Sequence, residues 1–87
     1  MYFLYILKSL ANDRYYVGST NNLERRLKEH NTGKSKYTKL TKPFILVFSK
    51  KYKTLKKAQH IERKLKRFKS RTVLDKIVSE QTIRLRS

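Results

Sequence analysis

The segment "YYVGSTNNLERRLKEHN", residues 15–31, decides how this chain folds. Its aromatic start is typical of a short strand, which we expect to close at Gly18. The residues that follow carry helix signals, because Asn21 can cap a helix and Glu24 lies three residues later, as in a capping box. Gly33 is a suitable C-terminal stop. The segment therefore predicts a strand, a glycine turn and a helix in quick succession.

Two charged or titratable side chains lie beside the apolar stripe that Leu23 and Leu27 form on this helix. Arg26 and His30 are four residues apart and share one flank of the stripe. A solvated helix face is the ordinary explanation for such residues. At the rim of a sheet, the planar guanidinium of Arg26 could hold a phosphate through two hydrogen bonds, and His30 could donate a proton near neutral pH.

Two more strands are predicted on either side of this segment. A continuous apolar run over residues 1–9 is typical of a central strand covered on both faces. Asn12 and Asp13 predict a turn that joins it to the next strand as an antiparallel hairpin. Pro43 begins a third strand, "PFILVFS", at a position where the missing N–H does least harm.

Two helices follow the third strand, one capped by Thr54 and one capped by Ser70. The predicted order is β-β-α-β-α-α. We expect an α+β fold in which a small three-stranded antiparallel or mixed sheet is flanked by helices. A single domain should occupy residues 1–79, with a C-terminal tail over residues 80–87.

The charge balance limits the partners. The chain has 87 residues with 23 Lys and Arg against six Asp and Glu, a net charge of +17. Such an excess attracts polyanions, and nucleic acid is the first candidate because neutralised phosphates release counterions. An anionic membrane surface is the second candidate. It favours basic residues on one face of an amphipathic helix, whereas the basic residues of this chain are spread along its whole length.

The sequence also excludes several classes of protein. It contains no cysteine, so we expect neither disulfides nor a thiolate zinc site. No apolar run approaches the roughly 18 residues of a membrane helix, and the first run lacks the layout of a signal peptide. We therefore expect the protein to stay in the cytoplasm.

Carboxylates are scarce, and only one has a position suited to a metal ion. Mg²⁺ often takes one or two carboxylates together with substrate phosphates. Glu62 flanks the buried stripe of the second helix, but an ion pair with Lys66 four residues later is the explanation that the sequence alone favours. Tyr5 and Tyr16, on the first two strands, are explained by packing or, alternatively, by a phenol that faces a bound phosphate.

Taken in order, these residues resemble the GIY-YIG nuclease superfamily. "FLY", residues 3–5, lies at the first motif and "YVG", residues 16–18, at the second. "NLERRLKEHN" resembles the first-helix segment, with Arg26 at the arginine position. "AQHIERKLK" resembles the later helix, with Glu62 at the metal-binding glutamate. The likeness covers about residues 2–70 and is greatest to the small stand-alone bacterial members, the YhbQ-like group.

The resemblance implies hydrolysis of DNA phosphodiester bonds, structure-selective or nonspecific, with one divalent metal, Mg²⁺ or Mn²⁺, in DNA repair or recombination. Glu62 would hold the metal and Arg26 would stabilise the transition state. One of Tyr5 and Tyr16 would orient or deprotonate the attacking water and the other would steady it, assisted by His30. The lysines expected to contact phosphates without reading sequence are Lys34, Lys36, Lys39, Lys42, Lys50 and Lys51.

The chain departs from the family pattern at four positions. Phe3 replaces the first glycine, and Ser19 lies where some members have a lysine. Leu74 lies about where several members have an asparagine, and His30 where some have a tyrosine. The set of tyrosine, arginine and glutamate is complete, which favours an endonuclease, with a monomer as the expected state. The alternative is a non-catalytic basic protein that binds DNA or RNA.

Overall fold

The computed structural model describes residues 1–32, 42–68 and 71–83. In those ranges the chain forms strands β1 (Tyr2–Ser9), β2 (Tyr15–Thr20) and β3 (Phe44–Tyr52), and helices α1 (Leu23–Asn31), α2 (Leu55–Phe68) and α3 (Arg71–Glu80). The predicted order β-β-α-β-α-α is confirmed. Gly33 and Ser70, predicted at helix ends, lie outside the described residues. None of the described helices is long and apolar enough to cross a bilayer.

β1 is the central strand of an antiparallel sheet with the order β2-β1-β3. Its composition explains this position, because the consecutive side chains from Leu4 to Leu7 are buried and need cover on both faces. The pairing with β3 shifts register between Ile6 and Leu7, as at a β-bulge. The sequence therefore predicted the central strand correctly, and the sheet is antiparallel rather than mixed.

The two faces of the sheet support two separate cores. α2 and α3 cover one face, and the buried residues of this larger core are Leu4, Ile6, Phe48, Leu65 and Ile77. α1 covers the other face, and this α1 core consists of Tyr5, Leu7 and Phe44, with Tyr16, Leu23 and Leu27 packed against it. Both tyrosines singled out from the sequence therefore belong to the α1 core.

The junction between β2 and α1 differs from the prediction. β2 continues past Gly18 to Thr20, because its pairing with β1 keeps the chain extended. The helix consequently starts later, and its N-cap is Asn22, whose side chain accepts a hydrogen bond from the backbone N–H of Arg25 at 3.0 Å. The predicted cap at Asn21, and the capping box built on it, are therefore wrong.

β3 is longer than predicted and reaches Tyr52 rather than Ser49. Its added residues pair with the start of β1, Lys51 opposite Phe3. Lysine is a poor strand former in isolation, but the backbone ladder and an exposed edge position accommodate it. The ends of β2 and β3 therefore flank the start of β1 at the same end of the sheet, and α1 and α2 both begin there.

The turn between β1 and β2 is tied to α3 by a group of five residues that we name the turn cluster. Asp13, which has a positive φ of 64°, pairs with Lys8 at 3.0 Å and with Arg71 at 2.9 Å. Arg71 also contacts Asp75 on the next turn of α3 at 3.7 Å. The Tyr15 hydroxyl donates a hydrogen bond to Asp75, which completes the connection between hairpin and helix.

Candidate active site at the edge of the sheet

Tyr5 lies in the middle of β1, directly opposite Gly18 of the edge strand β2. A Cβ atom built on Gly18 would lie 2.3 Å from the phenol oxygen of Tyr5 and 2.5 Å from its Cζ. No residue with a side chain fits there unless the ring moves. The buried Tyr5 ring therefore lies directly over Gly18, and its hydroxyl extends toward the outer edge of β2.

Two side chains of α1 meet that hydroxyl. Arg26 Nε donates a hydrogen bond to the Tyr5 oxygen at 3.1 Å, and His30 Nε2 lies 3.5 Å from the same atom. Their spacing of four residues explains the arrangement, because it places both side chains on one flank of α1. We name Tyr5, Arg26 and His30 the phenol cluster.

The charge state of the phenol cluster follows from its surroundings. The hydrogen bond with Tyr5 raises the pKa of Arg26, so the guanidinium remains charged. Burial, with the nearby charge of Arg26, lowers the pKa of His30 below its usual 6.5, so the imidazole is neutral at pH 7. His30 Nδ1 is buried and has no hydrogen-bond partner among the described residues.

Phe44 connects the second tyrosine to the phenol cluster. Its ring centroid lies 5.0 Å from that of Tyr16 and 5.5 Å from that of His30, both in edge-on contact. Asn31 fixes Phe44, because its amide accepts from the Phe44 N–H at 2.6 Å and donates to the Phe44 carbonyl at 3.1 Å. Sequence reasoning missed this pair, since a terminal asparagine ordinarily suggests only a local cap.

Glu62 approaches the same edge from the opposite face of the sheet. Its Oε1 accepts a hydrogen bond from the Ser19 hydroxyl at 2.7 Å. Ser19 follows Gly18 in β2, and successive strand residues point to opposite faces, which is why its side chain meets α2. The alternation of β2 could have predicted this contact, but the expected turn at Gly18 concealed it.

The predicted ion pair between Glu62 and Lys66 is also present. Lys66 Nζ lies 2.7 Å from Glu62 Oε2. The Glu62 side chain is 19% exposed and that of Lys66 is 57% exposed. One carboxylate oxygen is thus held by a hydroxyl at the strand, and the other by a lysine that faces solvent.

An open groove of about 660 Å³ lies where β2 ends and the helices α1 and α2 begin. Arg26 lines it from α1, and Ser19 lines it from β2 beside Glu62. The charge of Glu62 contributes to the raised pKa of Arg26, consistent with their approach around the edge of β2. We name it the edge groove; its remaining lining residues are Tyr2, Thr20, Asn21, Arg25, Glu29 and Leu55.

The lysines expected to bind phosphate are only partly described. Lys34, Lys36 and Lys39 lie outside the described residues, and Lys42, Lys50 and Lys51 are exposed. Lys50 pairs with Leu4, which also pairs with Ser19, so the end of β3 is at the groove's end of the sheet. Lys42 precedes the other end of β3.

Glu62 supplies one hard oxygen donor group of the kind that a divalent cation prefers. The described ranges hold no group of three His, Asp or Glu side chains able to enclose a metal. Mg²⁺ does not need such a group, because it commonly keeps waters and binds one or two carboxylates plus substrate phosphates. Glu62 offers one carboxylate beside the Ser19 hydroxyl, and it becomes available once the exposed Lys66 moves away.

Comparisons with known proteins identify the family of this chain. Residues 1–74 match the model of the GIY-YIG catalytic domain. The UPF0213 protein YazA of Bacillus subtilis is 40% identical over 62 residues, which cover 70% of this chain and 62% of YazA. The chain thus spans less than two thirds of that relative. The UPF0213 protein SH2523 of Staphylococcus haemolyticus is 35% identical over 81 residues, which cover 92% of this chain and 96% of the relative.

A solved structure extends the likeness to the fold. The solution NMR structure of the UPF0213 protein BH0048 from Bacillus halodurans matches with a TM-score of 0.59 and 32% sequence identity. The match covers 93% of this chain and 86% of that one. Motif order, strand topology and these matches lead to one assignment: the chain belongs to the GIY-YIG catalytic domain family and, within it, to the UPF0213 proteins.

Proposed function

We propose that this protein is a divalent-metal-dependent endonuclease that hydrolyses phosphodiester bonds in DNA, plain or branched. One observation carries the proposal: Arg26 of the phenol cluster lines the edge groove, and Ser19, which also lines it, donates a hydrogen bond to Glu62 on the opposite face of the sheet. A phosphate in this groove would meet the Arg26 guanidinium, with the Tyr5 oxygen directly behind Arg26 and the Glu62 carboxylate directly behind Ser19. A cation that stabilises developing charge, an oxygen that can take a proton and a metal ligand can together promote hydrolysis of a phosphodiester.

The electrostatics of the groove favour a polyanion. The net charge of +17 attracts DNA from a distance, and Arg25 and Arg26 line the groove itself. The N-terminal ends of α1 and α2 meet there and add partial positive charge. Lys50 and Lys51, at the same end of the sheet, would contact phosphates on either side of the cleaved bond.

Arg26 would stabilise the charge that develops on the phosphate. Its Nε is held by the Tyr5 oxygen, and no described residue is hydrogen-bonded to the terminal nitrogens of the guanidinium, so these would donate to phosphate oxygens. The raised pKa of Arg26 keeps this charge in place throughout the reaction. Preorganised donors of this kind contribute roughly 3 kcal/mol to barrier lowering.

We assign to Tyr5, rather than Tyr16, the role of taking a proton from the attacking water. A phenol oxygen that receives a proton must first give one up, and the neutral imidazole of His30 lies 3.5 Å away to accept it. This would make His30 an acceptor in the resting enzyme rather than the proton donor that its usual pKa suggests. Tyr16, edge-on against Phe44, would steady the water.

The metal, when bound, would neutralise phosphate charge and stabilise the leaving oxygen. Glu62 would hold it, with the Ser19 hydroxyl orienting the carboxylate through the 2.7 Å hydrogen bond. Lys66, displaced from Glu62 Oε2, could then contact DNA. The cytoplasmic location and a role in repair or recombination, both expected from the sequence, remain part of this proposal.

A cleavage assay tests the metal assignment. Labelled plain and branched DNA would be incubated with Mg²⁺, Mn²⁺ or a chelator. Glu62→Gln should reduce cleavage at least about a hundredfold while DNA binding in chelator is retained. Glu24→Gln, at the first turn of α1 and outside the edge groove, is the matched control and should cleave normally. Normal cleavage by Glu62→Gln would contradict the assignment.

One observation favours the second candidate, a non-catalytic protein that binds DNA or RNA. Lys66 occupies Glu62 Oε2 and would have to leave before a metal enters. In a binding protein the pair would simply be structural. Tight, salt-sensitive binding with no cleavage under either metal would establish this candidate and exclude the nuclease.

A further inference from the structure

A second groove, of about 480 Å³, lies on the other side of the start of α2. Thr54 and Lys56 line it, whereas Leu55, between them in sequence, lines the edge groove. Leu55 and Glu62 are seven residues apart and so share the side of α2 that faces the edge groove. The other residues of the second groove are Tyr52, Lys57, His60 and Ile61.

The chemistry of this groove differs from that of the edge groove. Its lining is mostly apolar, with the ring of Tyr52 at the end of β3 and Ile61 on α2. Three lysines lie at this second groove. Lys56 and Lys57 line it, and the Lys50 ammonium lies 5.6 Å from the Tyr52 ring centroid. A carboxylate is not among the lining residues. An apolar slot with a cationic rim matches an unpaired nucleobase with its phosphates.

We propose that the second groove binds an unpaired base of the DNA strand whose scissile phosphate lies in the edge groove. The inference rests on the proposed function and adds to it a substrate class, DNA with a single-stranded flank beside the cleavage site. The base stacks on Tyr52, and Lys56 and Lys57 contact the adjoining phosphates. The start of α2 separates the two grooves, so one strand crosses it to occupy both.

The competing explanation is packing, because Tyr52 also contacts the larger core. The two explanations differ in what the aromatic ring does. Packing needs only an apolar side chain of similar size, whereas stacking needs the flat face of a ring. Tyr52→Leu keeps an apolar, though smaller, side chain and removes the ring, whereas Tyr52→Phe keeps the ring.

Binding is measured in chelator by fluorescence anisotropy, so that no cleavage is required. The two DNAs are a plain duplex and the same duplex with a short single-stranded flank. The unmodified protein and Tyr52→Phe should bind the flanked DNA about tenfold more tightly than the duplex. Tyr52→Leu should bind both DNAs equally, with duplex affinity unchanged. Ile45→Ala, which truncates an exposed apolar residue elsewhere on β3, should keep the preference.

A second measurement reports stacking directly. A 2-aminopurine in the flank should lose fluorescence on binding to the unmodified protein and to Tyr52→Phe, and should lose much less on binding to Tyr52→Leu. Equal affinity of the unmodified protein for both DNAs, or an undiminished preference for the flanked DNA in Tyr52→Leu, would overturn the proposed base-binding subsite.

The subsite and the nuclease can fail separately. If the subsite fails, metal-dependent cutting of plain duplex would still support the nuclease. A flank preference that depends on Tyr52, without cutting under any metal, would support the subsite and exclude the nuclease.

Discussion

The phenol cluster and the turn cluster are built from the same kinds of residue but differ in how their charges are balanced. Each joins a strand tyrosine to a helix arginine. In the turn cluster, Lys8 and Arg71 face Asp13 and Asp75, so two cations meet two carboxylates. In the phenol cluster, Arg26 meets a phenol and a neutral imidazole instead. The charges of the turn cluster are balanced, whereas the phenol cluster contains no carboxylate and the charges of Glu29 and Glu62 reach Arg26 only from outside it.

Burial increases the contrast. Tyr5 is only 3% exposed, whereas the Asp13 side chain is 67% exposed. Exposed ion pairs contribute little to stability because water screens them. Among the described residues no carboxylate forms an ion pair with Arg26, so a bound phosphate would give it a direct anionic partner. A cluster whose arginine pairs with carboxylates is therefore expected to be structural, and one whose arginine has no paired carboxylate is expected to be functional.

The largest contrast is expected between the two arginines. Arg26→Ala should lower the cleavage rate by about 10²–10³, because it removes a preorganised donor to the transition state. Arg71→Ala should leave cleavage unchanged and lower the melting temperature by a few degrees, since it opens the turn cluster. Single-turnover rates and thermal melts of both variants would measure this. Weakened DNA binding by Arg26→Ala with an unchanged cleavage rate would contradict its catalytic role.

The two tyrosines give a matched pair of single-atom deletions. Tyr5→Phe should reduce cleavage about a hundredfold, because it removes the oxygen that takes the proton from water. Tyr15→Phe should lose only its hydrogen bond to Asp75, about 1 kcal/mol or less of unfolding free energy, and cleave normally. Urea unfolding and the same cleavage assay separate the two effects. If Tyr16→Phe, rather than Tyr5→Phe, abolished cleavage, the assignment of the base would be reversed.

Substitution at Gly18 tests whether its close contact with the ring positions Tyr5. Gly18→Ala should cost about 1–3 kcal/mol of unfolding free energy, because the added Cβ overlaps the Tyr5 ring. Cleavage should fall as well, since the hydroxyl moves. In the background of Tyr5→Leu, which removes the ring, the same substitution should cost far less stability. Equal costs in both backgrounds would show that the two residues are independent.

The smallest effect concerns the pH dependence of stability. The pKa of His30 is lower in the folded protein than its usual 6.5, so the unfolded chain binds the proton more readily. Stability should therefore fall as the pH drops below about 6.5 toward the folded pKa. His30→Gln should flatten this slope in urea unfolding, and His60→Gln, at an exposed site on α2, is the control. An identical slope in His30→Gln would place its cause elsewhere.

The features that could be predicted from sequence are those set by local periodicity. The apolar run of β1 can be satisfied only in the middle of a sheet, so its position followed directly. Helical spacing likewise placed Arg26 and His30 on one flank and Glu62 within reach of Lys66. For Glu62, helical spacing alone favoured the ion pair with Lys66, and only the family resemblance suggested a metal.

The features that escaped prediction depend on residues far apart in the chain. Gly18 suggested a turn, because a local pattern cannot show that a ring from the neighbouring strand lies over it. The cap moved from Asn21 to Asn22 because pairing with β1 prolonged β2. The contact of Asn31 with Phe44 spans thirteen positions, and no propensity scale contains it. Tertiary pairing thus decided each of these points.

The clamp between Asn31 and Phe44 acts as a splint for the imidazole of the phenol cluster. Its two hydrogen bonds fix the C-terminal end of α1 to the first residue of β3. His30 precedes Asn31 on the helix, and its ring lies edge-on against the Phe44 ring, so the imidazole is held from both sides of the clamp. A substitution of Asn31 would therefore alter the position of the imidazole without changing any member of the phenol cluster.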